Sequence, residues 1–279
     1  MSQDRLTAIV FGEILVDEFP DRRVVAGASL HVAVRLARLG WDVHLVSSVG
    51  DDEDGRWIRR TLADYGVDDA MVETHAELAT STVAIELFPE GGHRFEIRRP
   101  VAWDDVHGPE ELPRCDAINF GTLGIRDHRS RATLLRMLDG GSATRIVDLN
   151  LRPPDYDREV IELTLENADI VKLSDEELPE VARLLGIPAQ PEAILGLGPQ
   201  WVCLTKGPHG AELHHRSGSR WEMPGSSVEV VDTVGAGDAF LAGLIHGLVP
   251  AGDGARALEF AQEQALQAVG QRGGLPPLP

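Results

Sequence analysis

Basic charge is what this chain has least of. Its 26 Lys+Arg stand against 45 Asp+Glu, giving a formal net charge of −19 and a pI near 4.8. Nucleic acids and anionic membrane surfaces need basic patches, so neither is an expected partner. Cysteine is nearly absent. Cys115 and Cys203 are too few for a disulfide framework or a Cys-rich zinc site, and each reads as a small core residue. Long apolar runs are missing as well: Glu13 and Asp17 interrupt the first apolar stretch, and none approaches the ~18–20 residues of a membrane span. With no cationic leader at the start, the expected location is cytoplasmic. Aromatic residues make up 5% of the chain, and lysine occurs only at Lys172 and Lys206. What remains is an ordinary folded composition, 43% hydrophobic and 25% charged over 279 residues. That length can bury ~70–75% of the unfolded surface.

Apolar strand-like runs alternate with helical patterns over most of the length. Leu6–Phe11, Val43–Val46, Ala117–Phe120, Ile146–Leu149, Ile170–Leu173 and Val202–Thr205 read as strands. Helices are expected at Ala28–Leu39, Trp57–Tyr65, Arg129–Leu138, Glu159–Asn167 and Glu176–Leu185. The alternation predicts an α/β fold with a mostly parallel sheet covered on both faces, binding ligands at the carboxyl ends of its strands. One segment departs from this rhythm. Thr82–Phe88 and His93–Arg98 alternate around Gly91-Gly92, a β-hairpin pattern that suits either an edge decoration or a lid beside Leu6–Val16.

Several familiar motifs fail. Gly50 to Gly55 has the Walker A spacing but continues into Arg56-Trp57. Asp51 to Gly55 resembles a calcium loop, yet Gly50 and Thr61 stand where acidic ligands belong. His214 and His215 are neighbours on a probable strand and point to opposite faces, against a shared metal. The strongest feature is Asp232-Thr233-Val234-Gly235-Ala236-Gly237-Asp238, after the strand-like Val228–Val231 and opening a helical run through Leu248. Small residues at a helix start let backbone N–H groups approach an anion, and the helix dipole adds positive charge. Gly235, Ala236 and Gly237 thus make a phosphate cradle. Asp238 would repel a merely bound phosphate. It either takes the proton of an attacking hydroxyl or stabilises the first helical turn.

This stretch closely resembles the signature of the ribokinase-like (PfkB) carbohydrate kinases, and further matches then follow in that family's order along nearly the whole chain. Gly12-Glu13-Ile14-Leu15-Val16-Asp17 resembles the first sugar-binding strand. Ala26-Gly27-Ala28-Ser29-Leu30-His31 resembles the Gly-Gly sugar motif, and Gly50–Gly55 the loop after the next strand. Pro100–Asp104, Asn150-Leu151-Arg152-Pro153 and Lys172–Glu177 are similar to the fructokinase branch. Thr205-Lys206-Gly207-Pro208-His209-Gly210 resembles the nucleotide loop, and Val269–Pro279 the C-terminal cation and adenine loop.

The resemblance implies a single ribokinase-like three-layer α/β domain over residues 1–279, with lid elements around 12–26 and 80–100. It implies ATP-dependent phosphorylation of a primary hydroxyl of a small sugar, fructose first. Asp238 would be the base, with Gly235, Ala236 and Gly237 as the anion hole. Asp17, Gly27, His31, Arg98, Asn150 and Arg152 would hold the sugar. Lys172, Thr205, Lys206, Gly207 and Gly210 would line the nucleotide site. Mg²⁺ would ride with ATP near Glu177, K⁺ would sit near Asp232 and Gly273, and the hairpin lid could pair two copies into a homodimer.

Ala26 replaces the first glycine of the sugar motif, His31 replaces the usual sugar-binding Asn, and Ser174 stands where many members have Asn. The chain is also shorter than is usual between Gly186 and Trp201. A 2-keto-3-deoxy acid is an alternative substrate, with Arg94, Arg98 or Arg99 supplying a cation. A nucleoside is a weaker alternative given so few aromatics, and a non-catalytic sugar- or nucleotide-binding regulator is a third.

Overall fold

Alternation along the strands sorts the apolar residues onto two faces of one sheet. In β1 (Thr7–Phe11), Ala8 and Val10 enter one core while Ile9 and Phe11 enter the other. The computed structural model describes residues 5–87 and 93–278. After β1 come β2 (Leu15–Glu18), β3 (Arg23–Ala26), α1 (Ala28–Arg38), β4 (Asp42–Gly50), α2 (Glu53–Asp64), β5 (Val72–His75), β6 (Ser81–Leu87) and β7 (His93–Ile97). The chain continues through β8 (Ala117–Gly121), α3 (His128–Leu138), β9 (Thr144–Asp148), α4 (Arg158–Glu166), β10 (Ile170–Ser174), α5 (Leu178–Leu185) and α6 (Pro191–Leu195). It ends with β11 (Trp201–Thr205), β12 (Gly210–His215), β13 (Arg220–Pro224), α7 (Ala236–Ala251) and α8 (Gly254–Val269).

The nine-stranded sheet runs β13-β12-β11-β10-β9-β8-β1-β4-β5, parallel except for the antiparallel pairs β11/β12 and β12/β13. Residues of α1, α2, α7 and α8 share one core; those of α3, α4, α5 and α6 share the other. This is the mostly parallel sheet covered on both faces that the alternation predicts, in the three layers implied by the resemblance to ribokinase-like kinases. A second sheet, β3-β2-β6-β7, stands apart with its own small core of Leu15, Ala26 and Val83. The hairpin expected at 82–98 is its β6/β7 pair; Phe88 and the Gly91-Gly92 turn lie outside the described residues.

Arg126 ties this second sheet to the first. Its guanidinium, 1% exposed, donates Nε to Asp104 Oδ1 at 2.7 Å, Nη1 to Asp155 Oδ2 at 3.3 Å and Nη2 to the Arg98 carbonyl at 2.8 Å. It also stacks 4.1 Å from the centre of a Trp103 ring.

Two sequence expectations change. The run Val228–Val231 is not a strand: its side chains stay exposed, and the Val231 and Asp232 N–H groups bond the Val269 carbonyl at the end of α8. The helix expected from Trp57 begins at Glu53, because Asp52 caps it by accepting from Gly55 N–H at 2.8 Å. Asp52 also takes the Thr80 hydroxyl and N–H, which pins the Gly50–Gly55 loop to the start of β6. Between Gly186 and Trp201 the chain forms only the short α6. His214 and His215 lie on β12 as expected, with His214 held between Glu192 and Glu212.

Candidate active site

Strand β1 lies between β4 and β8, and the chain builds the sheet outward on both sides of it. Such a switch point opens a crevice at the carboxyl ends of the strands. Here Gly12 and Glu13 leave β1, while Gly121 and Thr122 leave β8. Farther along, alternation turns Asn119 of β8, Asp148 of β9 and Lys172 of β10 towards the layer that contains α1 and α7. Lys172 and Asp148 are register partners, and Nζ donates to Oδ2. Burial lifts Asp148 to about 6, against the pull of Lys172. At the ammonium burial works the other way, but Asp148, Glu177 and Asp238 outweigh it and hold Lys172 above its ordinary value.

The helix start of α7 faces this group. Gly235 caps α7 with φ +74°, and a Cβ there would sit 2.7 Å from Gly274 Cα. Only glycine fits both the left-handed turn and the approach of the C-terminal loop. Gly237 follows, 3.5 Å from Lys172 Nζ measured from its ideal Cβ position. Ala236 and Gly237 begin the first turn, and Asp238 is the third residue of the helix. Its Oδ2 lies 2.8 Å from His31 Nδ1, on α1. One turn on, Arg35 is 2% exposed and reaches the Gly274 carbonyl at 3.5 Å, with its Nε left without a partner. Burial pulls the Arg35 pKa down, and the charge of Asp238 opposes it.

Glu13 completes the enclosure. It is 3% exposed, its Oε2 has no partner, and burial lifts its pKa to about 7. Its own N–H, Arg152 and the Ala28 N–H pull downward, while Asp238 adds to the rise. A cavity of about 20 Å³ lies among Glu13, Ser29, Asn119, Asp148, Asn150 and Asp238, room for about one water. Asn150 holds φ +41°, a left-handed conformation asparagine tolerates better than most residues. Arg152 donates to the Leu151 carbonyl at 3.1 Å.

On the second sheet, burial lifts Asp17 of β2 to about 6, with nearby His31 acting in the opposite direction. Gly27, at φ +123°, sits where a Cβ would come within 2.6 Å of the Glu13 carbonyl, so the glycine of the sugar-like motif is fixed by that contact. Arg98 is exposed at the exit of β7, its carbonyl held by Arg126.

The other expected residues form three groups. Thr205 ends β11 with its hydroxyl 3.3 Å from the Leu173 carbonyl; Lys206 pairs with Glu212 through Nζ, and its N–H bonds the Gly210 carbonyl at 2.8 Å. Gly207 and Gly210 bound the short turn between. Glu177 accepts Leu151 N–H at 2.6 Å and Ser174 N–H at 2.8 Å, so it fixes the loop that carries Asn150. Asp232 accepts Val234 N–H at 3.1 Å and Gly273 N–H at 3.0 Å, joining the two segments expected around a monovalent cation.

Glu13, Asp148, Asn119 and Arg35 were not singled out from the sequence for a role here. A signal existed for one of them: Asp148 is a lone acid in the otherwise apolar run Ile146–Leu149. A larger cleft of about 670 Å³ lies between α6 and the β12–β13 turn. Its charged groups are engaged with one another, His214 with Glu192 and Glu212, Arg220 with Glu212 and Glu222, and Arg216 with the Gly198 carbonyl. It is remote from Asp238 in the sheet order.

A carboxylate beside a glycine-lined helix start, at the switch point of this fold, is an arrangement suited to phosphoryl transfer to a hydroxyl. The pfkB family carbohydrate kinase model matches residues 9–279. The chain belongs to that family, and it is an ATP:sugar phosphotransferase. It is 32% identical over 269 residues to a fructokinase from Klebsiella pneumoniae, covering 87% of this chain and 84% of that one. It is 29% identical over 292 residues to an aminoimidazole riboside kinase from Salmonella typhimurium, covering 97% and 91%. Among solved structures, a fructokinase double mutant from Vibrio cholerae bound to fructose, ADP and potassium superposes with TM-score 0.84 at 26% identity, covering 99% and 96%.

Proposed function

We propose that this chain transfers the γ-phosphoryl group of ATP to a primary hydroxyl of a small sugar, and that the sugar is fructose. The observation that carries the reading is the placement of Asp238. It is the third residue of the helix that opens at Gly235, bonds His31, and lines the small cavity with Glu13, Ala28 and Asn150. In the transfer, Asp238 takes the hydroxyl proton as the sugar oxygen attacks in line. The N–H groups of the α7 start and the Lys172 ammonium stabilise charge on the moving phosphoryl group. Asp17 accepts from the sugar hydroxyls, with Asn150, Arg152 and Arg98 around the same substrate. The nucleotide lies along Thr205–Gly210. The exposed side chains of Val228, Val230, Val231 and Val234 offer a planar base an apolar surface beside it.

The residues fit two cations. Asp148 Oδ1 is buried without a partner, and with Glu177 it would hold Mg²⁺ through water. Asp232 and the carbonyls near Gly273 would hold K⁺. When bound, Mg²⁺ would offset phosphate charge and K⁺ would order the loop at the anion hole. The chain acts as one catalytic unit over its 279 residues in the cytoplasm; the β3-β2-β6-β7 sheet is the lid and, in a homodimer, the contact between copies. Among the described residues no helix is long and apolar enough to cross a membrane.

A coupled ADP-release assay with fructose, ribose, 2-keto-3-deoxygluconate and aminoimidazole riboside, with and without K⁺, tests the reading. Fructose is expected to give the highest kcat/KM. The likeness to the riboside kinase makes aminoimidazole riboside the second reading, and a preference for it would replace fructose. Asp238→Asn is expected to bind ATP and sugar while losing about 10²- to 10⁴-fold in kcat; near-normal turnover would remove Asp238 as the base.

A further inference from the structure

His31 is placed as a partner of the base more than as a ligand of the sugar. Its ring is 5% exposed. Nδ1 lies 2.8 Å from Asp238 Oδ2. The ring packs on the C-terminal loop so closely that a Cβ at Gly274 would come within 2.4 Å of Cε1 and Nε2 and 2.9 Å of Nδ1. An ionised carboxylate has only acceptor sites, so the Asp238 contact requires a proton on Nδ1.

We propose that His31 is a positioning residue for Asp238: its Nδ1–H holds Oδ2 and leaves Oδ1 as the oxygen that meets the sugar hydroxyl. This rests on the kinase reading above. In the transfer, the sugar O–H bond breaks and its proton goes to Asp238 Oδ1. The sugar oxygen forms its bond to the γ-phosphorus, and the bond from that phosphorus to the bridging oxygen breaks with its electron pair leaving on ADP. The His31 hydrogen bond stays on Oδ2 throughout, so the imidazole orients the base without taking the proton. The charged groups facing the ring come from three elements: Asp238 on α7, Asp17 on β2 and Arg35 one turn along α1, with Glu13 acting on Asp238 from beyond. Arg35 and the His31 ring both meet Gly274, so α1 holds the base and the loop behind Gly235 with two side chains one turn apart.

Two variants separate positioning from sugar binding. His31→Leu fills the buried space but has no donor; His31→Asn keeps a donor N–H of shorter reach. With saturating ATP, His31→Leu is expected to lose about 30- to 100-fold in kcat, while KM for the sugar changes less than about threefold. His31→Asn is expected to recover a large part of that loss. A raised sugar KM with unchanged kcat would make His31 a direct sugar ligand and overturn the proposal. Equal kcat in wild type and His31→Leu would overturn it too. A readout independent of turnover is the ¹⁵N spectrum of the ring in the ligand-free protein. It should show the proton on Nδ1, and the Nδ1 resonance should move in Asp238→Ala; a proton on Nε2, or no response to Asp238→Ala, would overturn the pairing. If the spectrum shows the pairing but no sugar in the panel releases ADP, the substrate reading fails and the contact stands.

Discussion

Glu13 shows how one buried side chain sets a pH response. Its carboxyl titrates near 4.5 when exposed and at about 7 in the fold, chiefly through burial. Between those values the folded protein holds a proton that the unfolded chain has released. Stability therefore falls as pH rises through that window, and the full cost, roughly 3 kcal/mol, is in place above it. Asp17 and Asp148, lifted from 3.8 to about 6, add cost of the same sign at lower pH. Glu13→Gln stays neutral, so it is expected to lose less stability than wild type between pH 5 and pH 8. Urea unfolding of the ligand-free proteins at both pH values measures this; identical losses would mean that Glu13 behaves as an ordinary carboxyl in the fold.

At the scale of the element, the start of α7 carries the most local demand. Gly235 needs both its left-handed φ and the space filled by Gly274. Gly235→Ala is expected to cost about 1–2 kcal/mol for the backbone alone, and to lower kcat at least about tenfold by pushing the loop off the anion hole. Thermal unfolding and steady-state kinetics check the two parts, and full activity would show that the N–H groups there do not meet the phosphoryl group. This element was legible in the sequence because its chemistry is contiguous: glycines, a helix start and an acid within a few residues. The hairpin and the parallel order were legible for the same reason, as periods within single segments. Glu13, Asp148 and Arg35 were not, because their meaning arises between segments. Asp148 matters through its register with Lys172, and Arg35 reads in the sequence as one arginine among many. Val228–Val231 misled because a β-branched run becomes a strand only beside a free edge, and this one passes the end of α8 instead.

Across the whole molecule, Arg126 is the joint between the two sheets. Removing it leaves Asp104 and Asp155 buried without that cation, and Trp103 without its stacked guanidinium. Arg126→Met is expected to destabilise the protein by about 3–5 kcal/mol, and to raise the sugar KM as the exit of β7 loosens. Denaturant melts and kinetics would show this; unchanged stability would mean that solvent or Arg99, which also pairs with Asp155, takes over. The contact between Arg35 and Gly274 spans 239 positions of the chain, and that between His31 and Asp238 spans 207. No early-formed fragment can bring Asp238, the start of α7 and the loop at Gly274 together. Contacts of such sequence separation come late and slowly when a chain folds, so recovered activity after dilution from denaturant reports the last assembled contacts. A partly folded population will bury its strands before it can transfer a phosphoryl group.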